Sequence, residues 1–136
     1  MFKVLGVALF VLAIAIAVVP TFTDCQSQGK SLTLTSGKTV PMKCHWTGVA
    51  EIATGVPLAA VGAMMVASRR RANIMSLGVM GIILGIFAIM LPNSLIGVCQ
   101  SNMLCNNVMQ PTLTVLGSLA IAGSLGAIIL SRKAVD

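Results

Sequence analysis

The sequence predicts an all-α membrane protein: a four-transmembrane-helix antiparallel bundle with a small disulfide-stapled extracytoplasmic β-hairpin loop. Three observations predict it. Apolar residues gather in four blocks, near residues 2–20, 49–68, 74–91 and 113–130. Each approaches the ~20 helical residues that cross a hydrocarbon core of ~30 Å. All four cysteines fall in the loops after the first and third blocks, near residues 21–48 and 92–112, whereas the arginines follow the second and fourth. Apolar residues also make up 57% of the 136-residue chain and charged ones 9%. A soluble domain this small cannot hide so much apolar surface, so the lipid bilayer must cover it.

Charge sets the orientation. With both termini in the cytoplasm, the inner side holds Lys3, Arg69, Arg70, Arg71, Arg132 and Lys133, and the outer side only Lys30, Lys38 and Lys43. That is the positive-inside pattern of a multi-pass plasma-membrane protein. The formal charge of +6 is spread over several turns rather than one patch, which argues against nucleic acid as a partner. The same topology puts Cys25, Cys44, Cys99 and Cys105 outside, where disulfides form and persist.

The first block follows Lys3, as a signal peptide would, but no small-x-small cleavage site precedes Cys25 and the apolar run is long. It reads as a retained helix within a single domain, residues 1–136. In the first outer loop, Ser31 to Thr35 and Lys38 to Val40 flank Ser36-Gly37. Alternating apolar and hydroxyl residues around a glycine turn predict a short hairpin. Its ends lie near Cys25 and Cys44. Four cysteines allow three connectivities; the most local is Cys25–Cys44 with Cys99–Cys105.

Helix two contains Pro57, which predicts a kink tolerable in a membrane bundle. The turn at residues 68–73 is short, so helices two and three must be antiparallel neighbours. The second outer segment is bounded by Pro92 and Pro111 and holds Asn102, Asn106 and Asn107, all loop formers.

Small residues mark packing faces: Gly48, Gly55 and Gly62 in helix two, Gly78, Gly81 and Gly85 in helix three, and Gly117, Gly123 and Gly126 in helix four. In lipid, helix association depends on close backbone approach. These stripes predict the contacts of the bundle, with surface to spare for self-association; Gly81 and Gly85 are the positions expected to matter for assembly.

Few residues suggest chemistry. Glu51 is the one acid inside an apolar block, and an intramembrane carboxylate is by default a functional candidate. Its place near the outer end of helix two also suits hydrogen bonds in the first turns or a pair with Lys43. Trp46 fits the aromatic belt of the interface, and Thr47 suits a helix N-cap with His45 just before it. Met42, Cys44 and His45, with Met103 and Cys105, are soft ligands that can take Cu(I) or a haem iron, but an oxidised Cys44 is a poor ligand. A thiol oxidoreductase using Cys99 and Cys105 is the enzymatic alternative, weakened by the lack of a Cys-x-x-Cys pair. No phosphate loop, paired carboxylates or Ser/His/Asp set is present. The reading therefore assigns no catalytic residue, metal or cofactor.

The string at residues 42–55, MKCHWTGVAEIATG, resembles the domain-of-unknown-function-4418 family of small prokaryotic four-helix membrane proteins. The likeness extends over the chain: a proline-then-cysteine exit from helix one, an acid after the Met-Lys-Cys-His-Trp-Thr string, and a cysteine pair between helices three and four. It implies a role beside ABC transporters of the macrolide-exporter class, with Cys44, His45, Trp46 and Glu51 as a structural or partner-binding motif. The sequence thus favours a non-enzymatic accessory or assembly subunit, packed against other membrane protein subunits or against itself.

Overall fold

A computed structural model describes residues 1–100 and 102–133. Helix α1 spans Phe2–Thr23, α2 Lys43–Ala67, α3 Arg71–Met90 and α4 Gln110–Lys133. Strands β1 (Leu32–Thr33) and β2 (Thr39–Val40) lie between α1 and α2. With the π-helical turns Leu91–Leu95 and Cys105–Met109 that continue α3 and precede α4, the four helices are long and apolar enough to cross a membrane.

The helices overrun the apolar blocks, each time for a local reason. Pro20 lies inside α1, where Thr21 and Thr23 turn their hydroxyls back onto the carbonyls of Val18 and Val19 and carry the helix another turn. Helix α2 begins six residues before its apolar run, after an extended Met42. Thr47 is therefore not its N-cap. Its hydroxyl donates along the helix to the carbonyl of Lys43 and across to that of Gly97. Pro111 is absorbed where the π-helical turn Cys105–Met109 runs into α4. Pro57 sits within a helix that runs unbroken to Ala67.

The hairpin is smaller than its sequence suggests. Leu32 pairs with Val40 and Thr33 with Thr39, around Gly37 at φ 78°. All four strand residues are exposed, so nothing but the turn and these pairs defines it.

Helix α1 packs most extensively on α2, and α3 on α4. Both seams are made by glycine. A Cβ at Gly62 would come within 2.8 Å of the Phe10 backbone nitrogen, and one at Gly55 within 3.0 Å of the Ala13 carbonyl. Across the other seam, a Cβ at Gly85 would meet Ile121, at Gly78 Ile128, at Gly117 Ile89, and at Gly81 the Ser124 hydroxyl. Gly48 faces Pro20 at 3.2 Å. The two pairs then close on a core of Leu9, Ala13, Ile16, Leu58, Met65, Leu113 and Ala120. Gly81 and Gly85, expected to serve assembly, are thus consumed within the chain. Gly123 touches only Leu9, at 3.6 Å, and Gly126 faces open space.

Candidate functional site

The loops after α1 and α3 leave the same end of the bundle, and there the four cysteines converge. Cys25 follows the last residues of α1, Cys44 lies in the first turn of α2, Cys99 in the second loop, and Cys105 opens the turn before α4. Cys25 Sγ stands 2.9 Å from Cys105 Sγ, and Cys44 Sγ 2.9 Å from Cys99 Sγ. All four are free thiols; a disulfide needs an S–S distance near ~2.05 Å. The expected staple is therefore not formed at bonding distance. The nearest neighbours are also crossed, linking the two loops rather than closing each on itself. The cause is topological: two loops at one end of a bundle fold onto each other, and a hairpin of two-residue strands does not dictate which cysteines meet.

The sulfurs form one group. The Sγ atoms of Cys25, Cys44 and Cys99 all lie within 4.8 Å of one another. Met103 Sδ is 3.8 Å from Cys25 Sγ, and Met42 and Val98 pack against the cluster. Cys25, Cys44 and Cys105 are buried, while Cys99 is partly open. Backbone groups fix them: the Cys99 N–H points to Cys44 Sγ at 3.4 Å, and the Cys105 thiol to the Thr23 carbonyl at 3.4 Å. Burial pushes the Cys25 thiol up to about 12, reinforced by the neighbouring Cys105. Cys25 is thus no ready nucleophile at neutral pH.

A polar clamp surrounds the cluster. Asp24 ends α1 in an extended conformation and accepts the Ser27 N–H at 2.7 Å, and its other oxygen lies 3.2 Å from His45 Nδ1. Burial pushes the Asp24 carboxyl up, but these hydrogen bonds and the His45 charge outweigh it and hold it below its ordinary value. Thr47 donates to the Gly97 carbonyl at 2.8 Å, tying the second loop to α2 where Gly97 turns at φ 77°. His45 meets Trp46 edge-on with ring centroids 6.0 Å apart, and Trp46 points outward, 57% exposed. Between α1 and α2, Pro20, Asp24, His45, Gly48 and Ile52 line a cleft of about 210 Å³.

Glu51 is not part of this group. Because α2 starts at Lys43, Glu51 is in its third turn, about 10 Å along the axis from Cys44. It is fully buried, and neither carboxyl oxygen has a hydrogen-bond partner among the described residues. Lys43 stands exposed in the first turn and does not reach it. Cys44, Glu51, Leu58 and Met65, seven residues apart, form the most buried line of α2.

The sequence grouped Met42, Cys44 and His45 with Met103 and Cys105 as soft ligands; the structure brings Cys25 and Cys99 into that group and turns His45 to Asp24 instead. Asp24 and Gly97 were missed. Asp24 had one usable signal, its position at the end of the apolar block, where a carboxylate can cap the turn that follows.

The model of a family described as a domain of unknown function (DUF4418) matches residues 3–130, nearly the whole chain. The chain belongs to this family. No curated protein and no solved structure matches it. The DUF4418 match takes in the sulfur cluster, the Asp24–His45 clamp and Glu51 together.

Proposed function

We propose that this DUF4418 protein is a non-enzymatic integral membrane subunit that docks on another membrane protein through the outward face of α4, with its termini cytoplasmic and its cysteine end extracytoplasmic. One observation carries the reading. Ser118, Ala122 and Gly126 recur every four residues on α4, the first two exposed, and a Cβ at Gly126 would have no neighbour within 4 Å among the described residues. The interior helical glycines Gly55, Gly62, Gly78, Gly81, Gly85 and Gly117 each have a neighbour within 3.0 Å of such an atom. Small-xxx-small spacing lets a second helix approach closely in lipid, and the exposed Val115, Leu119, Leu125 and Ile129 flank the stripe. The family resemblance points to an ABC transporter as the partner; a second copy of the chain is the other occupant with the right chemistry.

Native mass spectrometry of the gently extracted protein tests it, with Gly126→Leu and Ala122→Leu in parallel. Wild-type complexes that both substitutions dissolve, with the monomer still folded, support the reading. Complexes of unchanged mass in both variants sink it.

A second reading is thiol–disulfide exchange, expected from the sequence at Cys99 and Cys105; with Cys105 lying against Cys25, it moves to the partly open Cys99 beside buried Cys44. In it, a Cys44–Cys99 disulfide takes two electrons and two protons from a client dithiol. Acid-quenched alkylation of cells decides: four thiols in a single oxidation state, unchanged under oxidant and reductant stress, exclude it.

A further inference from the structure

Four thiols and a thioether that meet in one largely buried group need a reason to be there. Packing alone does not require it, since a single cysteine fills space as a small apolar residue does. Here Cys25, Cys44 and Cys99 present three sulfurs within 4.8 Å of one another, Cys105 adds a fourth beside Cys25, and Met103 Sδ a fifth at 3.8 Å. They come from the end of α1, the start of α2 and the connection between α3 and α4, so the fold rather than local sequence assembles them.

We propose that the reduced cluster is a site for a soft monovalent metal ion, Cu(I), held by Cys25, Cys44 and Cys99 with Cys105 and Met103 at its edge.

The donor set selects the metal. Thiolate and thioether sulfur together favour Cu(I). Zinc sites are built from thiolate, imidazole and carboxylate, without thioether. Cu(II) takes nitrogen and oxygen donors in tetragonal array, whereas among the described residues the metal-capable group here is Cys25, Cys44 and Cys99, with Met42 and Val98 packed against it. Asp24 and His45, next to Cys25 and Cys44 in the chain, are engaged with each other at 3.2 Å. Burial of Cys25, Cys44 and Cys105 excludes the water that a hard divalent ion would keep, while partly open Cys99 leaves one way in. Cu(I) binding would release the thiol protons to solvent, and the thiolates so formed would be held through one cation rather than left to repel one another.

The test uses the full chain in lipid nanodiscs, reduced under anaerobic conditions until four thiols are counted, then titrated with Cu(I) against a chromophoric Cu(I) chelator. The expected result is one Cu(I) per chain, retained in chelator excess, with a sulfur-only shell by X-ray absorption. Met103→Leu, which keeps size and shape, is expected to weaken binding on the order of 10-fold, and Cys44→Ser by more. Lys38→Ala, in the exposed hairpin turn and outside the sulfur set, should leave affinity unchanged. Far-UV circular dichroism checks that each variant is folded; Met103→Leu keeps the test decisive if a cysteine variant is not. Loss of Cu(I) to the chelator at stoichiometric amounts overturns the proposal. So does Zn(II) displacing Cu(I), equal affinity in Met103→Leu, or thiols that cannot be reduced without unfolding the chain.

Discussion

The middle of the bundle and its cysteine end are held together by different means. In the middle, glycine lets the helices close up: Gly62 lies against the Phe10 backbone, while Gly78, Gly85 and Gly117 receive the side chains of Ile128, Ile121 and Ile89 from the facing helix. At the cysteine end, side chains do the joining, through sulfur neighbours, the Asp24–His45 pair and the Thr47–Gly97 hydrogen bond. The first arrangement tolerates no added atom and needs no specific chemistry. The second tolerates small changes of shape but depends on particular atoms. Stability should therefore respond to volume in the middle and to chemistry at the end.

The largest expected effect is in the glycine seams. Gly62→Leu drives a side chain into the Phe10 backbone and should cost ~1–3 kcal/mol or more of bundle stability, read as the unfolding midpoint in a denaturing-detergent titration. Gly126→Leu, with nothing to strike, should stay within ~0.5 kcal/mol. Equal costs at the two positions would break the contrast between inner and outer glycines.

Glu51 sharpens it from another side. It is the one acid placed in the volume-sensitive region, without the partners that satisfy Asp24 at the end. An unsatisfied buried polar group costs ~1–3 kcal/mol, so Glu51→Leu, close to it in size, should stabilise the isolated chain by about that amount. A loss of stability instead would reveal a partner for the carboxyl in the membrane.

The sequence was most readable where burial is decided by composition. Four apolar blocks forecast four helices, and glycine spacing forecast which faces meet, because lipid and close approach leave few alternatives. It was least readable at the cysteine end. Helix α2 carries Cys44, His45, Trp46 and Thr47 in its first turns although they are polar or interfacial, since only backbone hydrogen bonding decides where the helix begins. Which sulfurs approach each other depends on how two loops settle on one another, and no local pattern encodes that. Glu51 looked superficial because the apolar block starts at Val49; the earlier helix start buries it.

Smaller effects lie in the clamp. Thr47→Val keeps shape but removes the donor to Gly97; the loss should be ~1 kcal/mol and should speed alkylation of Cys99 as the second loop loosens. The smallest is a pH effect at Asp24. Its carboxyl is held below the ordinary value of 3.8, so the stability it supplies is fully present above that pH and is lost as pH falls through the lower folded value. Thermal melts of wild type and Asp24→Asn between about pH 2 and pH 6 should therefore differ above pH 4 and converge at the acidic end. A difference that does not shrink as the pH falls would place the role of Asp24 elsewhere.

The pairing of α1 with α2 and of α3 with α4 has a consequence for how the chain is made. Each pair is consecutive and can form as soon as its second helix leaves the ribosome. Cys25 and Cys44 are delivered with the first pair, whereas Cys99, Met103 and Cys105 arrive only with the connection inside the second. A half-synthesised or half-inserted chain thus carries only two of the four cysteines, apart from the rest. The sulfur group comes into being only when the two hairpins dock, so its completion marks the end of membrane assembly.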